Sequence, residues 1–124
     1  MGSVTGCARR EDRLAALRAE LESRGADPLL VRADVTSDAD VTALVAAVMT
    51  RFGRIDWVVA NAGFGVGHPF ERLTLDDYRR QLETNLFGVL RTAAAVLPPL
   101  KASRGVLAVM GSVAGEVPVP GSAA

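Results

Sequence analysis

The sequence predicts an α/β fold built on a parallel sheet, and three observations carry that expectation. Short apolar runs alternate with longer segments of helical periodicity. The alternation repeats as strand, helix, strand, which implies parallel pairing through helical crossovers. The chain has 124 residues and is 49% hydrophobic, so it has the length and the apolar content for one core.

Val4 to Ala8 is the first strand candidate. Glu11 to Arg24 reads as a helix, with Leu14, Leu17 and Leu21 at helical spacing among arginines and glutamates, and Gly25 stops it. Leu29, Leu30 and Val31 form a second strand that leads into Ala33-Asp34-Val35. Ser37, with Asp40 three residues on, looks like an N-cap. The helix it opens carries Val41, Leu44, Val45, Val48, Met49 and Phe52 as one stripe and ends at Gly53. Ile55 to Ala60 is a third strand, apolar nearly throughout, as expected of a strand covered on both faces, with Trp57 in the core.

Asn61 to Leu73 is a glycine-rich loop. Thr74 and Asp77 resemble a second N-cap pair. Leu75, Tyr78, Leu82, Leu86, Val89, Leu90, Ala93 and Val96 then mark a core-facing helix side, which Pro98 and Pro99 should end or kink. Val106 to Met110 is a fourth strand, and Gly111 to Ala124, broken by Pro118 and Pro120, is irregular. No linker divides the chain, so residues 1–124 are expected to form a single domain.

Composition narrows the function. Lysine plus arginine balances aspartate plus glutamate, 14 against 14. No net charge draws the chain to nucleic acid or to an anionic membrane. No apolar run reaches the length of a membrane span, and the N-terminus lacks a signal-peptide pattern, so the expected location is cytoplasmic. Cys7 and His68 are each the single residue of their type. No internal disulfide and no cysteine or histidine metal cluster is therefore expected.

In open parallel sheets, ligands sit beyond the carboxyl ends of the strands. The residues just past the four strand candidates are Arg9 and Arg10, then Asp34, then Asn61-Ala62-Gly63, then Ser112. All are polar or small, and all should share one edge. Asn85 is a mediocre choice inside a helix, and its face is that of Tyr78 and Val89, so a core amide needing partners is one reading of it. A turn serine is the plain reading of Ser112, and a tight turn that of Asn61-Ala62-Gly63. For Arg9 and Arg10 the plain reading is a solvated helix start paired with Glu11 and Asp12.

Taken together, these segments resemble the short-chain dehydrogenase/reductase family of NAD(P)-dependent oxidoreductases. Ala60-Asn61-Ala62-Gly63 resembles its Asn-Ala-Gly element, although many members have a second asparagine at the place of Ala60. Asp34-Val35 resembles the Asp-Val pair that meets the adenine. Asn85, in Thr84-Asn85-Leu86-Phe87-Gly88, resembles the helical active-site asparagine, which holds a helix bulge and a relay water. Ser112, in Gly111-Ser112-Val113-Ala114-Gly115, resembles the catalytic serine that hydrogen-bonds the reacting oxygen. The order and near-equal gaps agree from about Cys7 onward.

The resemblance implies a Rossmann-type, doubly wound parallel sheet of about four strands and three main helices, incomplete because the first strand and the C-terminal part are missing. It implies hydride transfer between a nicotinamide cofactor and a small carbonyl or alcohol substrate. Arg9 and Arg10 follow the strand where the family chooses its cofactor. A planar guanidinium suits a 2′-phosphate, which favours NADP(H) over NAD(H). Phe64, Val66 and Phe70 are candidates to line a substrate pocket, and His68 receives no role.

The glycine-rich phosphate turn and the Tyr-x-x-x-Lys pair of the family are absent; the only tyrosine, Tyr78, is followed by arginines. The chain is therefore expected to be cut at both ends and not to complete catalysis alone. The alternative is a remnant that binds nucleotide weakly or acts only by subunit association, with homo-oligomers left open. The lost strand should lie centrally, leaving two half-sheets with bare inner edges; a compact four-stranded sheet with a compromised edge is the first expectation.

Overall fold

A computed structural model describes residues 3–117. The chain folds as β1 (Thr5–Ala8), α1 (Glu11–Ser23), β2 (Leu29–Arg32), α2 (Asp38–Phe52), β3 (Trp57–Ala60), α3 (Leu75–Leu82), a π turn (Glu83–Phe87), α4 (Gly88–Ser103) and β4 (Val106–Val109). Single turns of 3-10 helix lie at Phe70–Arg72 and Val113–Gly115. The fold is α/β with parallel strands, as the alternation predicted. Pro118 and Pro120 lie outside the described residues.

The four strands do not form one sheet. β1 pairs with β2 and β3 with β4, each pair parallel, as two separate ladders. In the first ladder Ala8 is level with Arg32; in the second Ala60 is level with Val109. The compact four-stranded sheet is thus replaced by two half-sheets, and the inner edges of β1 and β3 do not pair with each other.

Local chemistry explains where the helices begin and end. The Ser37 hydroxyl accepts the Asp40 backbone N–H at 3.2 Å and caps α2, and Gly53 closes it in the left-handed conformation at φ 72°. Thr74 and Asp77 form a full capping box for α3, with hydroxyl and carboxylate each accepting the other residue's backbone N–H. The helix does not end at the prolines: α4 runs through Pro98 and Pro99 to Ser103. Val96 and Leu100, buried on either side of the pair, hold that stretch by packing.

The core lies between α2, α4 and the β3–β4 ladder. Ile55, Val96 and Leu100 form its centre, packed by Val45, Val48, Met49, Val58 and Leu107. The predicted burial fails elsewhere for one reason: a face with no covering element stays wet. Trp57 is 72% exposed and Val59 is 58% exposed, because α2 and α4 cover only the other face of β3. The third strand is therefore covered on one face, not two. Leu75, Leu82, Leu86 and Leu90 are likewise exposed, whereas Val96 from the same predicted stripe is buried.

Candidate functional site

Parallel pairing puts Arg9 and Asp34 at one end of the first ladder. Their side chains meet at 3.8 Å, with Arg9 67% and Asp34 30% exposed. Arg9 thus pairs with Asp34, while Glu11 pairs with Arg32 across the strand at 3.8 Å. Asp34 Oδ1 accepts the Thr36 backbone N–H at 2.9 Å and the Thr36 hydroxyl at 2.8 Å, while its own backbone N–H donates to Asp40. The Thr36 backbone N–H outweighs partial burial and, with the Thr36 hydroxyl and the charges of Arg9 and Arg32, holds the Asp34 carboxyl below the usual range. Asp34 is therefore ionised at neutral pH, beside an exposed guanidinium. Val35 follows in the same loop. Arg10 is exposed at the N-terminus of α1, to which its side chain gives no capping bond.

The second ladder ends in the same way. The Met110 backbone N–H donates to Ala60 O at 3.0 Å, so the segments carrying Asn61 and Ser112 leave the sheet side by side. Asn61, Ala62, Gly63 and Ser112 are all exposed. Small residues after β3 leave the backbone approachable.

Asn85 sits inside the π turn and does not point into the core. It is exposed, and both ends of its amide are used: Oδ1 accepts the Phe64 backbone N–H at 3.0 Å and Nδ2 donates to Phe64 O at 2.8 Å. The helix bulge that the resemblance implied is this turn. A Cβ on Gly63 would stand 3.2 Å from Asn85 Oδ1, so glycine there leaves room for the amide. One turn earlier, Gln81 Oε1 accepts the Val66 N–H at 3.0 Å and pins the same loop.

The two ladder ends face one region. Arg91 Nη1, on α4, donates to Val35 O at 2.9 Å, and a Cβ on Gly88 would lie 2.9 Å from Val35 Cγ2. The helix that opens with the Asn85 turn therefore rests on the loop after β2, while Asn85 itself grips the loop after β3. Arg9, Asp34 and Val35 thus follow the first ladder and Asn61, Ala62, Gly63 and Ser112 the second, with Asn85 on the turn that opens α4 between them. Arg91, Gln81 and Glu83 are absent from the sequence-based set. The available signal was Arg91 itself, the one charged residue between Gly88 and Leu100. Tyr78, half-buried in α3 and four residues before Leu82, supplies no tyrosine–lysine pair.

Comparison with known proteins gives the chain a family. The family model described as short chain dehydrogenase matches residues 2–124. L-fucose dehydrogenase of Oryctolagus cuniculus is 39% identical over 99 residues, covering 79% of this chain and 34% of that protein. The alcohol dehydrogenase of Thermococcus sibiricus, solved with 5-hydroxy-NADP, superposes with a TM-score of 0.89 at 32% identity over 97% of this chain and 52% of that one. A short-chain dehydrogenase/reductase of Burkholderia phymatum, solved with NAD, gives 0.91 at 26% identity over 97% and 43%. The chain spans about half, or less, of the length of these relatives. The neighbours bind NAD or NADP-type cofactors, and no helix among the described residues is long and apolar enough to cross a membrane. With its parallel ladders, its π turn and a match along nearly its full length, the chain belongs to the short-chain dehydrogenase family of oxidoreductases.

Proposed function

We propose that this chain carries the cofactor-facing half of an oxidoreductase that moves a hydride between NADP(H) and a small carbonyl or alcohol. The observation that carries the reading is the exposed Arg9 guanidinium at the end of β1, braced by ionised Asp34 and next to Arg10. Two adjacent cations fit a 2′-phosphate dianion better than ribose hydroxyls. Asp34 and Val35 would flank the adenine, and Asn61-Ala62-Gly63 would let the cofactor lie against the backbone. A bound nicotinamide would supply or accept the hydride. Ser112 would orient the reacting oxygen, and Asn85, already engaged with Phe64, would hold a water in the proton path. Among the described residues none forms a glycine-rich turn for the pyrophosphate.

NADPH and NADH titrated separately against the purified chain test this reading. NADPH should bind more tightly, and an Arg9→Ala, Arg10→Ala double variant should lose about tenfold or more in NADPH affinity while leaving NADH unchanged, the worth of one to two charge-assisted hydrogen bonds. Equal NADPH binding by the double variant would remove the 2′-phosphate assignment. Self-association belongs to the same proposal. It is supported by the bare face of β3, where Trp57 and Val59 stand exposed, and by the open strand edges.

A further inference from the structure

Arg91 ties three segments together through one side chain. Its Nε donates to Asp38 Oδ1 at the start of α2, its Nη1 to Val35 O at 2.9 Å, and its Nη2 to Glu83 Oε1 at 2.8 Å. The side chain is only 20% exposed, while Asp38 and Glu83 are 87% and 43% exposed. One planar fork therefore serves the loop after β2, the next helix and the first residue of the π turn. A lysine ammonium lacks the geometry to reproduce it.

The bond to Glu83 depends on the π turn. Residues eight apart in an uninterrupted α-helix stand about 80° apart around the axis. The extra residue of the π turn brings Glu83 and Arg91 to within about 20° of one face. The ion pair thus favours the π register over the regular one. Asn85 lies between the two, and in this register its amide meets both backbone groups of Phe64. Gly88 completes the fit, because any side chain there would strike Val35.

We infer that Arg91 is a positioning residue for Asn85: anchored on Val35 and Asp38, it reaches back to Glu83 and holds the π register that presents Asn85 to the loop after β3. What Asn85 does there rests on the function proposed above. The register does not, and it can be read without any nucleotide. In a ¹⁵N spectrum of the whole chain, the Phe64 amide reports the Asn85 bond, the Thr36 amide reports the loop after β2, and the Met110 amide reports the β3–β4 ladder.

Arg91→Lys and Glu83→Ala should each shift the Phe64 amide and speed its hydrogen exchange by about two- to tenfold, the loss expected for one hydrogen bond, with Met110 unchanged. Thr36 should move in Arg91→Lys and stay in Glu83→Ala. Should Arg91→Lys fail to fold, Glu83→Ala keeps the fork's other two bonds and decides the matter alone. An unaltered Phe64 amide in Glu83→Ala, or a change that tracks Met110, would overturn the inference. Failure of NADPH to bind the unaltered chain would count against the proposed function and leave the Phe64 result standing.

Discussion

Asp77 shows how much a single side chain sets locally. The Thr74 backbone N–H, the Thr74 hydroxyl and Arg80 together lower its carboxyl from the ordinary 3.8 to about 2. The folded value lies below the unfolded one, so the contribution is full above about pH 4 and is lost as the pH falls toward 2. Melting curves should therefore separate Asp77→Asn from the unaltered chain at neutral pH and converge in acid. Thr74→Ala removes the reciprocal half of the same cap and should cost about 1 kcal/mol at neutral pH, measured by urea denaturation. Asp34 obeys the same sign: the Thr36 backbone N–H is the leading cause that keeps it charged where Arg9 needs a partner.

Among the elements, α4 is the one whose course the sequence misjudged. Pro98 and Pro99 were expected to end or kink it, and they remove two backbone donors; the helix does not end there, and buried Val96 and Leu100 carry it past them. Proline in a helix interior costs about 3 kcal/mol relative to alanine, offset in part by its stiffening of the unfolded chain. Exposed Pro98→Ala should therefore stabilise the chain, by about 2 kcal/mol in chemical denaturation. Gly105, just past α4, makes the opposite case. A Cβ there would stand 2.5 Å from the Asp56 carbonyl oxygen, a backbone atom that cannot rotate away. Gly105→Ala should destabilise by roughly 1–3 kcal/mol. The caps at Ser37 and Thr74 and the end at Gly53 were legible because their signals are local. Trp57 and Leu90 were not, since burial depends on whether another element arrives to cover a face, and periodicity does not encode that. The placement of Arg9, Asp34, Asn61 and Ser112 just past the strands was legible because the strand boundaries carry local signals. Asn85 was found but misoriented, because the π turn shifts every later residue around the axis. Arg91 was missed because its importance comes from three partners far apart in sequence.

At the scale of the whole molecule, two half-sheets are held by helices instead of by a shared ladder. α2 and α4 build the only multi-residue buried cluster among the described residues, while β1–β2 is backed by α1 through buried Leu14. Open strand edges beside exposed Trp57 and Val59 should make the chain self-associate. Indole emission at low concentration should be that of a wet tryptophan and should move to the blue as concentration rises; a constant spectrum with a monomer sedimentation profile would contradict this.

Everything functional depends on the ends of β1, β2, β3 and β4 serving one ligand. Backbone amide shifts recorded while NADPH is added measure that directly. Perturbations are expected at Arg9, Asp34, Val35, Asn61, Gly63 and Ser112 in one titration curve, with Gly53, Arg54 and Asp56 at the opposite end silent. Shifts confined to one ladder, or appearing at Gly53 to Asp56, would contradict it.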